Sequence, residues 1–88
     1  MGKISFEDKA REDLRFWAKT SNKTFEKIFK LIEQTEKNYF KGEGKPEPLK
    51  GNLKNYWSRR INDKDRLIYK VEKDELVIIS CKDHYENL

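Results

Sequence analysis

Residues 56–85, YWSRRINDKDRLIYKVEKDELVIISCKDHY, decide the fold of this chain. Apolar and polar residues alternate along three stretches of this segment, and such alternation is typical of strands with one buried face. Two short polar runs separate the stretches, Asn62-Asp63-Lys64 and Lys73-Asp74, and both are typical of tight turns. The segment therefore predicts a C-terminal meander of three antiparallel strands.

The sequence before the meander predicts a short strand over residues 3–6 and then two helices. The apolar residues that recur at helical spacing are Ala10, Leu14 and Trp17 in the first helix, and Phe25, Ile28, Phe29 and Ile32 in the second. The short Thr-Ser-Asn link at residues 20–22 makes the helices an antiparallel hairpin. We therefore predict an α+β fold, with the hairpin packed on one face of a twisted, mainly antiparallel sheet. We expect residues 1–85 to form a single domain and residues 86–88 to form a short extension.

Charge and composition limit the classes of function. Lys and Arg number 20 against 16 Asp and Glu, a net charge of +4 that weakly favours polyanionic partners. The single cysteine, Cys81, excludes an internal disulfide and a cysteine-based zinc site, and we expect it in the core. The sequence contains no apolar run of membrane-spanning length, and MGKISFEDKA lacks a signal-peptide core, so we expect a cytoplasmic protein.

Alternation also sorts the meander side chains into a helix-covered face and an open face. The residues expected on the covered face are Trp57, Ile61, Leu67, Tyr69, Val71, Val77, Ile79 and Cys81, with Arg59 at the edge of the sheet. Those expected on the open face are Tyr56, Ser58, Arg60, Arg66, Ile68, Lys70, Ile78, Ser80, Lys82 and His84. Two guanidiniums and an imidazole on one face suit a phosphate. A solvated face whose arginines pair with nearby acids is an equally good interpretation.

The segment 38–55, NYFKGEGKPEPLKGNLKN, is too rich in glycine and proline to be regular throughout. Metal-free cleavage of RNA needs a base for the 2′-hydroxyl, cations for the phosphorane and an acid for the leaving oxygen. Glu47, between two prolines and close to Lys50, is the candidate base, and His84 is the candidate acid. The simpler alternatives are an exposed loop acid and an ordinary surface histidine. Tyr39 and Phe40 either stack on bases or anchor the segment to the core.

Three blocks resemble the signature of the YoeB toxins, in the Txe/YoeB branch of the RelE-like superfamily. They are GKPEPLKGNLKNYWSRRI at 44–61, DRLIY at 65–69 and ISCKDHY at 79–85. The resemblance implies a RelE-like fold and a ribosome-dependent endoribonuclease that cuts mRNA in the 70S A site without metal or cofactor. It makes Glu47 the general base and His84 the general acid. It also assigns transition-state or RNA contacts to Arg66, Arg60, Lys50 and Tyr85.

The same resemblance implies a YefM-like antitoxin, operator DNA bound only by the toxin–antitoxin complex, and a tendency to form homodimers. The chain departs from the family pattern twice: Asp65 stands where many relatives have histidine, and Glu86-Asn87-Leu88 follow the usual terminal His-Tyr pair. Two other readings are a RelE-like module that binds without cutting and a DNA-binding regulator. No helix has the coherent basic face that a regulator would use to read bases.

Overall fold

The structure is a computed structural model that describes residues 2–83. The elements are β1 (Ile4–Phe6), α1 (Asp8–Thr20), α2 (Asn22–Lys37), β2 (Glu47–Pro48), a 3-10 turn (Gly51–Leu53), β3 (Tyr56–Arg60), β4 (Arg66–Glu72) and β5 (Glu75–Ser80). The five strands form one sheet in the order β1-β5-β4-β3-β2, in which only the β1–β5 pair is parallel. The α+β fold with its C-terminal meander is therefore confirmed, and the structure adds the two-residue edge strand β2.

The two helices form the predicted hairpin around Ser21, whose hydroxyl caps α2 by accepting a hydrogen bond from the Thr24 amide at 3.2 Å. The buried core between the helices and the sheet consists of Ala10, Trp17, Ile28, Leu31, Ile32, Ile61, Leu67, Tyr69, Leu76, Ile78 and Cys81. One residue of the predicted apolar stripe, Phe29, was wrongly assigned to the core: it is 38% exposed, and its ring packs edge-on against Phe25. No helix within residues 2–83 is long and apolar enough to cross a membrane.

The last strand corrects the predicted alternation. Tyr69 pairs with Ile78 and Ile68 pairs with Ser80, so Ile79 has no partner and the register shifts there by one residue. Because of this irregularity, Ile78 packs into the core under the helices and was wrongly placed on the open face. Val77 and Ile79 were wrongly placed on the covered face for the same reason. Beyond the shift the prediction is right again, since Cys81 is fully buried in the core.

Candidate active site

The sheet register brings Glu47, Arg60 and Arg66 to one face. Glu47 pairs with Ser58 across β2 and β3, and Arg60 pairs with Arg66 across β3 and β4. Alternate residues of a strand share a face, so Ser58 and Arg60 project to the same side. Glu47 and Arg60 are thus diagonal cross-strand neighbours, with Cα atoms on the order of 7–8 Å apart. Arg60 is exposed and Arg66 is half-buried, but Ser58, Ile68 and Ser80 on the same face are buried, so the prediction of an open face is wrong for the middle of the sheet. Glu47 reaches this face from a strand rather than from a loop.

Arg60 and Arg66 are directly paired across β3 and β4, so two residues with cationic side chains oppose each other. Neither donates its amide to the other: the Arg60 amide bonds the Gly44 carbonyl at 2.7 Å, and the Arg66 amide bonds the Asp83 carbonyl at 3.1 Å. They therefore form a non-hydrogen-bonded pair, the type in which opposed side chains lie closest. Like charges directly opposite each other destabilise a sheet. Neither guanidinium forms an ion pair within residues 2–83, so the predicted alternative, arginines paired with nearby acids, does not describe this face.

The segment that carries Glu47 is tied to β3 on both sides of β2. Before β2, the Gly44 carbonyl accepts the Arg60 amide; after it, the Leu49 amide bonds the Tyr56 carbonyl at 2.9 Å and the Leu49 side chain is 7% exposed. Glu47 itself remains exposed on this fixed backbone. Lys50 follows as an exposed residue at the start of the 3-10 turn, and no hydrogen bond or ion pair links its side chain to Glu47 or the arginines.

Arg59 binds the chain segment that precedes β2. The prediction that Arg59 lies at the edge of the sheet is wrong. Its side chain is fully buried, and its guanidinium donates to the backbone carbonyls of Asn38 at 2.6 Å, Lys41 at 3.0 Å and Glu43 at 3.0 Å. It also donates to the Tyr69 hydroxyl at 3.3 Å. Arg59 points to the covered face because it adjoins Arg60 in a strand, where neighbours project to opposite sides. We name this arrangement the Arg59 hub.

Tyr69 extends the hub. Its hydroxyl donates to the Tyr39 carbonyl at 2.6 Å while it accepts from Arg59. Burial raises the pKa of the Tyr69 phenol, against a lowering effect from Arg59, so the group stays protonated and able to donate. Tyr39 packs against the core as the anchoring interpretation predicted. Phe40 is 47% exposed and rests on the Trp57 ring, with ring centroids 4.7 Å apart.

The C-terminal segment is fixed beside Arg66. The Cys81 amide bonds the buried Asp13 carboxylate at 2.9 Å, and the Trp17 indole donates to the Cys81 carbonyl at 2.8 Å. Two residues later, the Asp83 amide bonds the Asp65 carboxylate at 2.7 Å. The predicted site residues His84 and Tyr85, and the extension 86–88, lie outside the described residues. Asp83, the last described residue, is hydrogen-bonded to Asp65 and Arg66 at the start of β4.

Sequence reasoning missed Arg59, Asp13 and Asp65 as residues that shape this region. The signal for Arg59 was the Arg-Arg doublet itself, because a strand must turn one of two adjacent residues inward. Asp13 and Asp65 gave no comparable signal, since their partners lie 68 and 18 residues away. Across residues 2–83, no cluster of three or more His, Cys, Asp or Glu side chains is arranged to hold a metal ion.

The face therefore carries one exposed carboxylate, Glu47, and two arginines paired across neighbouring strands. The Arg66 guanidinium also donates to the turn carbonyls of Asn62 at 2.7 Å and Asp65 at 3.1 Å. The guanidiniums supply planar forks of donors that match phosphate oxygens, and a carboxylate beside them can accept a proton. The arrangement suits a polyanion whose reacting phosphate lies over β3 and β4.

Comparison with known proteins supports the fold and identifies the family. The structure superposes on the YoeB/ParE toxin from Agrobacterium tumefaciens with a TM-score of 0.91 and 40% identity, covering 94% of this chain and 99% of that one. It also matches the YoeB dimer from Staphylococcus aureus, with a TM-score of 0.87 and 41% identity over 96% of this chain and 98% of that one. The fold is that of the RelE-like bacterial toxins.

The YoeB-like toxins of bacterial type II toxin–antitoxin systems match residues 6–85. Toxin YoeB of Streptomyces coelicolor is 47% identical over 94% of this chain and 99% of its own length, and Toxin YoeB of Escherichia coli K12 is 42% identical with the same coverage. The chain belongs to the YoeB family and is a toxin of a type II toxin–antitoxin system.

Proposed function

We propose that this toxin is a ribosome-dependent endoribonuclease that cuts mRNA in the ribosomal A site by acid–base catalysis, without a cofactor. One observation carries the proposal: Glu47 shares an open sheet face with two arginines that oppose each other without an intervening acid. A surface meant only to be solvated gains nothing from that pairing, whereas a bound phosphate offsets the repulsion. The net charge of +4 acts in the same direction.

In the proposed reaction, Glu47 accepts the proton of a ribose 2′-hydroxyl, whose oxygen attacks the adjacent phosphorus. The bond from phosphorus to the 5′-oxygen breaks, and His84 supplies the proton that this oxygen takes up. The products are a 2′,3′-cyclic phosphate, which water can open to a 3′-phosphate, and a 5′-hydroxyl. Arg66, Arg60 and Lys50 stabilise the additional negative charge of the phosphorane.

Tyr85 is proposed to contact the RNA next to His84. The ribosome contributes by holding the mRNA in a reactive geometry, an effect that intramolecular reactions show to be large. Because translating ribosomes are the proposed target, the proposed activity belongs in the cytoplasm.

The proposed partner is a YefM-like antitoxin. This chain is similar to a chain in the heterotetrameric YoeB–YefM complex from Staphylococcus aureus. The TM-score is 0.86, and the identity is 41% over 97% of this chain and 99% of that chain. An inhibitory segment that covers the open face would block the RNA. By the same analogy, operator DNA is bound by the toxin–antitoxin complex, and the toxin also forms homodimers, as its Staphylococcus aureus relative does.

The test is cleavage in a translating extract, with RNA ends mapped by primer extension. We expect Glu47→Gln and His84→Gln each to lower the rate by about 10²–10⁴-fold, the usual contribution of a general base or acid. Glu43→Gln is the matched control, because Glu43 is an exposed acid of the same segment whose only hydrogen bond to Arg59 uses the backbone. The 5′ ends should accept a kinase label without prior phosphatase treatment.

If the wild type and His84→Gln cut RNA at the same rate, His84 is not the general acid. A wild-type protein that binds ribosomes and arrests translation but leaves every message intact would instead favour the non-catalytic RelE-like module.

A further inference from the structure

Asp65 occupies the turn between β3 and β4 and is 6% exposed. Its Oδ1 accepts the Asp83 amide at 2.7 Å, and its Oδ2 accepts the Asn62 side-chain amide at 3.0 Å. Its carbonyl accepts the Ile61 amide at 3.0 Å and the Arg66 guanidinium at 3.1 Å. One residue therefore connects the turn, the Arg66 side chain and the C-terminal segment.

A buried carboxylate is costly for a protein to keep unless hydrogen bonds replace its lost hydration. Asp65 forms no ion pair within the described part of the chain, so amide donors alone stabilise its charge. The turn does not require this acid, because the Asn62 side chain already closes it by accepting the amides of Lys64 at 2.8 Å and Asp65 at 2.7 Å. The Asp65 side chain adds one further bond within the turn, to the Asn62 side-chain amide, and one long-range bond, to the Asp83 amide.

Asp83 needs such a restraint. Its φ is +66°, in the left-handed region, which costs free energy for a residue with a Cβ atom and persists when surrounding contacts offset that cost. The Asp65 carboxylate holds its amide, and the Arg66 amide holds its carbonyl at 3.1 Å. That carbonyl belongs to the planar peptide group that joins Asp83 to the next residue. The amide and the carbonyl of Asp83, the last described residue, are thus both hydrogen-bonded to residues at the start of β4.

We propose that Asp65 is a positioning residue for catalysis: its carboxylate sets the backbone from which His84 emerges relative to the Arg66 guanidinium. The inference rests on the proposed ribonuclease activity and adds a residue to it. Asp65 does not touch the RNA. It acts through its contacts with the Asp83 backbone and the Arg66 side chain.

The first test is the kinetics of RNA cleavage in a ribosome-dependent assay. We expect Asp65→Ala to lower kcat about 10- to 100-fold, since small displacements of a catalytic group have effects of this size, and to leave KM within about twofold. Asp63→Ala is the matched control, because Asp63 is an exposed acid of the same turn whose side chain forms no hydrogen bond within residues 2–83. An unchanged kcat for Asp65→Ala overturns the proposal. A raised KM at constant kcat also overturns it, because Asp65 would then act in binding.

A charge-conserving exchange separates positioning from general stability. Asp65→Asn alone sets two amide groups against each other, because Asn62 already donates to this position, and kcat should fall. Adding Asn62→Asp restores an acceptor for the new amide while the Asp83 amide keeps its oxygen acceptor. We expect the double variant to recover kcat to within about threefold of the wild type. A folded double variant that stays as slow as Asp65→Asn overturns the proposal.

A second measurement does not depend on cleavage. The Asp83 amide proton should resonate downfield in the NMR spectrum of the free protein and exchange slowly, and it should lose both properties in Asp65→Ala. If the wild type shows this protected amide but cuts no RNA, the proposed function fails while the Asp65–Asp83 contact stands. If the wild type cuts RNA and the amide is unprotected, only the role of Asp65 fails.

Discussion

Replacing Arg59 with methionine is expected to lower the free energy of unfolding by about 3 kcal/mol. The guanidinium is fully buried and donates to three backbone carbonyls of the segment 38–43. A buried acceptor left without a donor costs about 1–3 kcal/mol. We take about 1 kcal/mol for each carbonyl, because the segment lies near the surface and water can reach it after the substitution. Methionine retains much of the arginine stem, so the cavity contributes little.

The assay is urea denaturation followed by tryptophan fluorescence. With a urea dependence of about 1–3 kcal/mol per molar, the midpoint should fall by about 1–3 M. Arg60→Met is the matched control: Arg60 is exposed, adjacent in sequence and opposed by another cation, so its loss should change the free energy of unfolding by less than about 0.5 kcal/mol. On the proposed function, Arg60→Met should keep its stability and lose RNA cleavage, whereas Arg59→Met should lose stability. A loss below about 1 kcal/mol for Arg59→Met would refute the Arg59 hub.

Two further predictions concern the same core. Gly44→Ala should destabilise the protein by about 1–3 kcal/mol in thermal denaturation, since φ is +84° and an added Cβ would lie 3.0 Å from the Arg59 Cβ. Gly51→Ala, with φ +64° and nothing within 4 Å, should lose less, and equal losses would exclude a packing role for Gly44. Burial raises the pKa of the Cys81 thiol to about 12, so a disulfide reagent at pH 8 should leave the native protein unmodified and react only after unfolding. Rapid native reaction would contradict the buried position.

The sequence was sufficient for the shared face of Arg60 and Arg66 because both lie where the register is regular. The β3–β4 pairs run without interruption from Tyr56 with Lys70 to Arg60 with Arg66. Alternation failed in β5 because an unpaired residue reverses every side chain before or after it. The run Leu-Val-Ile-Ile at residues 76–79 is apolar at each position, so its composition does not indicate which side chains face the core.

The Arg59 hub lay beyond sequence reasoning for a different reason. Burying an arginine is unfavourable unless its N–H groups have hydrogen-bond acceptors. Three acceptors of Arg59 are backbone carbonyls, which every residue has. No side-chain pattern marks the segment that will supply them. Asp65 presents the same difficulty, because its partner is a backbone amide in a distant part of the chain. Interactions between side chains and distant backbone groups are visible only after the fold has brought them together.

The opposed arginines of β3 and β4 make ligand binding and folding stability interdependent. In the free protein their repulsion works against the sheet at the point where the strands begin and end. A phosphate-bearing ligand, or an acidic peptide in the same place, cancels that repulsion and should raise the melting temperature as it binds. Added salt should screen the repulsion and stabilise the free toxin while weakening its hold on a polyanion. On the proposed function, the free toxin is less stable at this end of the sheet than the toxin with its ligand bound.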